Sequence, residues 1–175
     1  MTTPIALNIS TATIANIARS VAEKVGYEPG GDLREVVRKL GGTIVHENLW
    51  GGASTDSGSI EIKDGKFEIR LAIATGPLRD RFTIAHELGH YVLHYLYRRQ
   101  VLNEQINELV AQRYGTSDAE REANQFAAAF LMPQEDYESV FKSCGGDHSA
   151  LSRHFGVSRI ASEFRAQALG LAKHG

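Results

Sequence analysis

The chain has 175 residues, of which 42% are hydrophobic and 23% charged, and its net charge is -2. That composition describes a folded globular protein and excludes a disordered, collagen-like or coiled-coil chain, while the near-neutral balance argues against whole-protein attraction to nucleic acid or an anionic membrane. The single cysteine, Cys144, excludes an internal disulfide and a thiolate cluster, so any zinc must sit on histidine and carboxylate.

The first twenty residues carry no early positive charge, and Asn8, Ser10 and Asn16 interrupt their apolar run. They do not read as a signal peptide, and no segment is apolar for long enough to span a membrane, which places the protein in the cytoplasm. Residues 11–25 set Ile14, Ile17, Ala18, Val21, Ala22 and Val25 at helical spacing, with Ser10 or Thr11 as N-cap. Asp32 caps a second, short helix that stops at Gly41 and Gly42. The period then changes. Residues 43–48, 58–63 and 67–74 are short, β-branched and bounded by Gly or Asp, and Lys63-Asp64-Gly65-Lys66 reads as a hairpin turn. A small antiparallel sheet is expected there, with Phe67, Ile69 and Leu71 on one face. Residues 78–98 read as one long helix, 99–116 have no clear period, and 117–131 form a helix capped by Ser117 or Asp118. Pro133 opens another helix, closed by Gly145 and Gly146 with Cys144 as a small buried residue near its end. The tail reads as two short helices joined near Gly156, the second capped by Ser158 and packing through Ile160, Ala161, Phe164 and Leu169. The fold class is therefore α+β, a small sheet against several helices, with residues 1–145 as the main domain and 146–175 as a helix-turn-helix-like segment packed on it.

The chemistry is concentrated in Arg81-Phe82-Thr83-Ile84-Ala85-His86-Glu87-Leu88-Gly89-His90. Four residues on a helix advance about 40° past a full turn, so His86 and His90 leave the same face one turn apart and can share a zinc ion. Glu87, at the edge of that face, is placed to take a proton from water and return it to a leaving amine without being a ligand. Gly89 costs roughly 1 kcal/mol relative to Ala in a helix interior, a cost that close approach of another backbone or of a substrate would explain. A catalytic zinc needs a third protein ligand. The helix over 117–131 offers Glu120, on the edge of an apolar face made by Ala123, Phe126, Ala127, Phe130 and Leu131. Glu122 lies about 200° round the same helix and is expected to face elsewhere, so that its loss leaves the metal in place. Asn124, four residues beyond Glu120, can hydrogen-bond a ligating imidazole.

RFTIAHELGHYVLH, followed about thirty residues later by EREANQFAAAFLMP, resembles the ImmA/IrrE family of zinc metallopeptidases, over residues 57 to 170. The resemblance implies a zincin-like fold and one Zn²⁺ per chain, with Mn²⁺ as an alternative occupant. It implies His86, His90 and Glu120 as metal ligands and Glu87 as the catalytic glutamate. Asn124 stands where related zinc peptidases often carry Asp. His94 completes HELGHYVLH, a frequent family ending, and its expected role is that of a packed histidine or a partner of a ligating imidazole. The implied substrate is a protein, a helix-turn-helix transcriptional repressor, cut to switch on stress or mobile-element genes. By analogy with zincins, the strand before the motif, Phe67 to Ala74, is the expected partner of an extended substrate.

Two other readings compete. One is a regulatory module that keeps the fold and metal and binds a repressor or toxin without cutting. The other is a DNA-binding regulator, which the tail and its Arg153, Arg159 and Arg165 suggest. An intact Glu87 favours the peptidase over the first. The acidic pI of about 6.4 counts against the second.

Overall fold

A computed structural model describes residues 2–47, 58–112 and 117–171. Asn48, at the end of the first expected strand, residues 113–116, and the last four residues of the tail lie outside them.

The chain opens with an extended segment and then α1 (Thr11–Val25), where the Ser10 hydroxyl accepts from Thr13 N–H and Gly26 ends the helix in the left-handed region. Ile14, Ala18 and Val25 are buried, so the apolar stripe faces the core as its spacing predicts. Helix α2 (Leu33–Lys39), capped by Asp32, leads directly into the sheet. Its strands are β1 (Gly42–Glu47), β2 (Ser59–Lys63), β3 (Lys66–Ala72) and β4 (Glu108–Gln112), in the order β1-β3-β2-β4. Phe67, Ile69 and Leu71 share the buried face. The β2–β3 turn places Asp64 at φ 50° and Gly65 at φ 82°, the two positive values that suit a tight hairpin to the sheet's twist.

The β2–β3 and β2–β4 pairings are antiparallel as expected, but β1 joins β3 in parallel, from Gly42 opposite Phe67 to Glu47 opposite Ala72. Strand β3 thus lies between a parallel neighbour, β1, and an antiparallel one, β2. Strand β4 falls in the stretch without clear period, because its two buried residues, Leu109 and Ala111, are too few to establish an alternation. Strand β3 ends at Ala72 rather than residue 74 and lies between β1 and β2. Both its edges are occupied, which corrects its expected role as partner of a substrate strand. Strand β4 is the edge nearer the third ligand helix in sequence, and its Val110 N–H donates to Thr2 O at 2.9 Å, which brings the N-terminal segment alongside.

The long motif helix divides. Helix α3 (Pro77–Gly89) continues without a break into a π-helical segment, His90–Tyr97, and then the three-residue α4 (Arg98–Gln100). Helix α5 (Asp118–Leu131) packs across α3, and α6 (Gln134–Ser143), α7 (His148–Phe155) and α8 (Arg159–Ala168) complete the chain. The α7–α8 pair joins at Gly156 and α8 is capped by Ser158, as expected. Its buried face is only partly the expected one: Ala161 and Leu169 pack against the core, but the two largest apolar residues do not. Ile160 and Phe164 are 64% and 66% exposed, while Ser162, Arg165 and Ala166 face inward. Tyr137 OH lies within hydrogen-bond distance of Ser162 O and Oγ, and Arg165 Nε donates to Met132 O at 3.0 Å. These bonds require small or hydrogen-bonding residues on that side and turn the large apolar ones outward. Arg165 is thereby withdrawn from the surface charge that a DNA contact would use. Cys144 is half-buried rather than buried.

Arg81 ties the metal-motif helix to both ends of the fold. Its guanidinium donates to Gly156 O (2.9 Å), Gly31 O (2.7 Å) and the Tyr27 hydroxyl (2.9 Å). Charged donors of this kind contribute about 1.5–3 kcal/mol each where partly buried. Arg81→Ala is expected to lower unfolding stability by about 2–4 kcal/mol in a denaturant titration. A change within experimental error would mean that water replaces all three bonds without cost.

Candidate metal centre

Local sequence dictates where the ligands stand. Gly76 and Pro77 start α3, and the apolar positions Ile84, Ala85 and Leu88 turn one face to the core, which carries His86, Glu87 and His90 inward with them. All three are at most 1% exposed. On α5, Ser117 is the N-cap and its hydroxyl accepts from Glu120 N–H at 3.2 Å. Ser117-x-x-Glu120 is the sequence of a capping box, in which the glutamate would turn back to the cap. Here the Glu120 carboxylate reaches across to α3 instead, with Oε2 2.9 Å from His86 Nε2 and Oε1 2.9 Å from His90 Nε2.

The two helices meet at Gly89. A Cβ on Gly89 would stand 3.1 Å from Ala123 Cα, 3.1 Å from Ala123 O and 3.2 Å from Phe126 Cβ. The expected close approach is thus that of α5's own backbone. Gly89→Ala gains helix propensity of roughly 1 kcal/mol, but two of the three contacts are backbone atoms that cannot turn aside. The variant is expected to lose about 1–3 kcal/mol of stability by overpacking, and to bind metal more weakly because Glu120 moves with α5. Equal or higher stability, with unchanged metal affinity, would show that the helices part freely.

Three donor atoms, one each from His86, His90 and Glu120, lie within 4.8 Å of one another. Two ligands on one zinc at about 2.0–2.1 Å can be no more than about 4.2 Å apart, and both 2.9 Å separations fall inside that reach. The orientation of His86 also fits. Its Nδ1 lies 2.7 Å from Asn124 Oδ1, so Nδ1–H donates to the amide and Nε2 is left facing Glu120. Burial works to raise the Glu120 carboxyl, but the two imidazoles facing it, His86 and His90, outweigh it and hold it down to about 2. It is a carboxylate throughout the physiological range. This buried group of two imidazoles and one carboxylate could hold a metal ion.

Glu87 is buried beside the group on the same helix. A Cβ on Gly58 would lie 2.3 Å from Thr83 Cγ2 and 3.4 Å from Glu87 Oε1, so the start of β2 leaves just enough room for that carboxylate. A cleft of about 490 Å³ opens on Glu120 between Thr3, Pro4, Val110 and Gln112.

His94 and Glu122 are where sequence reasoning was incomplete. A π-helix closes i to i+5, so its turn is wider and four residues fall short of a full turn instead of overshooting it. His94 is thereby offset from His90 about as far as in an α-helix but in the opposite sense, and the two rings lie with centroids 5.0 Å apart and their Nδ1 atoms at 2.9 Å. Glu122 does face away from the metal group, but it is buried. Its Oε1 lies 3.0 Å from His94 Nε2, and its carboxylate accepts from Leu7 N–H (2.7 Å) and Asn8 N–H (2.9 Å). No spacing within the chain signals these partners, which are 28 and more residues from Glu122. Tyr91 and Tyr95, the hydroxyls nearest the motif in sequence, serve the hairpin: Gly65 N–H donates to the Tyr95 hydroxyl at 2.9 Å, and Tyr91 OH donates to Leu40 O and Gly65 O at 3.3 Å.

A family model described as the IrrE N-terminal-like domain, of the peptidase class, matches residues 58–167. No curated protein sequence matches the chain. Among solved structures the fold is similar to that of a Mycobacterium tuberculosis transcriptional regulator, with a TM-score of 0.65 and 21% sequence identity. The alignment covers 89% of this chain and 47% of that one, so the chain spans about half the length of its structural neighbour.

Proposed function

Since the chain belongs to the peptidase family of the IrrE N-terminal-like domain, we propose that it is a zinc-dependent endopeptidase that cuts a regulatory protein. The observation that carries this reading is the convergence of His86, His90 and Glu120 with Glu87 buried beside them. Their two nitrogens and one oxygen form the donor set of a catalytic zinc site, which holds three protein ligands and keeps one position open. Zinc bound there supplies Lewis acidity, polarising a peptide carbonyl and making water a better acid. Glu87 is the general base: its carboxylate takes a proton from the attacking water and delivers it to the leaving nitrogen. Asn124 keeps His86 in the tautomer that presents Nε2. Peptide enters by the cleft that opens on Glu120, beside β4 rather than β3.

The substrate is proposed to be a helix-turn-helix transcriptional repressor, as the family resemblance implies, which would make the protein a switch for stress or mobile-element genes. A structural neighbour named a transcriptional regulator is compatible with such a setting. Residues 1–145 are proposed as the peptidase unit and 146–175 as a helical segment packed on it. Among the described residues no helix is long and apolar enough to cross a membrane, and the proposed compartment is the cytoplasm.

The test is elemental analysis of protein purified without added metal or chelator, followed by incubation with a helix-turn-helix repressor encoded beside its gene. About one zinc per chain and a discrete cleavage product are expected. Absence of metal, with no uptake from supplied zinc, would overturn the peptidase reading. Bound zinc with tight repressor binding and no cleavage would leave the module that binds without cutting.

A further inference from the structure

We propose that Glu122 and His94 act in series as positioning residues for His90, so that the carboxylate on α5 sets the proton arrangement and ring orientation of a metal ligand it does not touch. The inference rests on the metal-site reading above.

Hydrogen-bond polarity leads to it. A ligating His90 presents Nε2 toward Glu120, which puts its proton on Nδ1. The atom opposite, at 2.9 Å, is His94 Nδ1, which must therefore accept. A neutral imidazole that accepts at Nδ1 carries its proton on Nε2, and Nε2 lies 3.0 Å from Glu122 Oε1, an acceptor. Each link determines the next, and only one assignment of protons satisfies all of them.

Glu122 is itself fixed. Leu7 and Asn8 point successive amide N–H groups at its carboxylate, with Asn8 standing at φ 57°. The chain of bonds thus runs from the N-terminal segment through α5 and the π-helical segment to the metal ligand. Its members are buried, His94 fully and Glu122 at 6% exposure, where a misplaced proton leaves a group unsatisfied at a cost that water cannot relieve. The two imidazoles stand four residues apart in the π-helical segment, with their Nδ1 atoms at 2.9 Å. A purely structural alternative exists, in which Glu122 only pins the N-terminal segment. The two differ in what zinc affinity should do.

The experiment compares zinc dissociation constants of the full chain, by competition with a chromophoric chelator, for the wild type, His94→Phe, His94→Gln, Glu122→Ala and the double variant His94→Phe/Glu122→Ala. Thermal unfolding of each metal-free protein is measured in parallel. His94→Phe fills the space but cannot accept from His90, and should weaken zinc by about 10–100-fold, the usual effect of losing such a partner. His94→Gln supplies an amide oxygen to His90 and an N–H to Glu122, and should recover most of that loss. Glu122→Ala should weaken zinc by about tenfold, and the double variant should be no weaker than His94→Phe alone, because both act through one path. If His94→Phe does not fold, the ranking of wild type, His94→Gln and Glu122→Ala carries the same test. Unchanged zinc affinity with lowered thermal stability would overturn the inference while leaving the metal site standing. Additive losses in the double variant would also overturn it. A wild-type chain that takes up no zinc would remove the site reading itself, and the inference with it.

Discussion

Glu87→Gln is expected to retain about one zinc per chain and to lose about 10²–10⁴-fold in kcat for peptide hydrolysis, the range associated with removing a general acid-base group. The substitution is nearly isosteric, so the tight space among Gly58, Thr83 and α3 is still filled. The ligands are untouched, because Glu87 is not among the three donors that converge. What is lost is an oxygen able to hold a proton between the attack of water and departure of the amine. Metal analysis and a cleavage assay on the same preparation check both halves. Full activity with bound zinc would mean that some other group is the base. Loss of zinc together with activity would mean that Glu87 helps to build the site.

Glu120→Ala and His90→Ala are each expected to purify with only a small fraction of the wild-type metal. Each removes one of three protein ligands, which must cost more than the 10–100-fold associated with a partner one step further out. Glu120→Ala has the more telling consequence. Two imidazole Nε2 atoms face its carboxylate at 2.9 Å, and after truncation they face each other with no anion between them. The effect of Glu122→Ala, two residues away, should be smaller by about tenfold or more in dissociation constant. Zinc titrations of the two variants side by side check the order. If Glu122→Ala lost the metal and Glu120→Ala kept it, the assignment of the third ligand would be wrong.

Most of the candidate site was legible because it is local. His86, Glu87 and His90 lie within five residues of one helix, and helical geometry alone puts the two imidazoles on one face. Glu120 was legible one step less directly, from its place beside the apolar face of α5 and from the family resemblance. Gly89 was legible as a cost that a close approach would explain, and the approach is that of the Ala123 backbone. Helices α1, α2, α5 and α6 and the 63–66 hairpin follow their caps, glycines and periodicity closely.

The parts that were not legible depend on partners distant in sequence. The parallel β1–β3 pairing joins strands that β2 separates in sequence, and β4 carries an alternation of only two buried residues. The outward Ile160 and Phe164 reflect a choice between two faces of α8, settled by Tyr137 on α6 and Met132 at the end of α5, which bond Ser162 and Arg165. The pairing of His94 with Glu122 needed the placement of α5 against the motif helix. By itself the sequence determined an α+β chain with a histidine pair and a glutamate on one helix, because those features arise from interactions a few residues apart. Tertiary structure decided that Glu120 completes the group, that β3 is closed to a substrate strand, and that Glu122 reaches His90 through His94. Each of those depends on which surfaces pack together, and packing selects among faces that local spacing leaves equivalent.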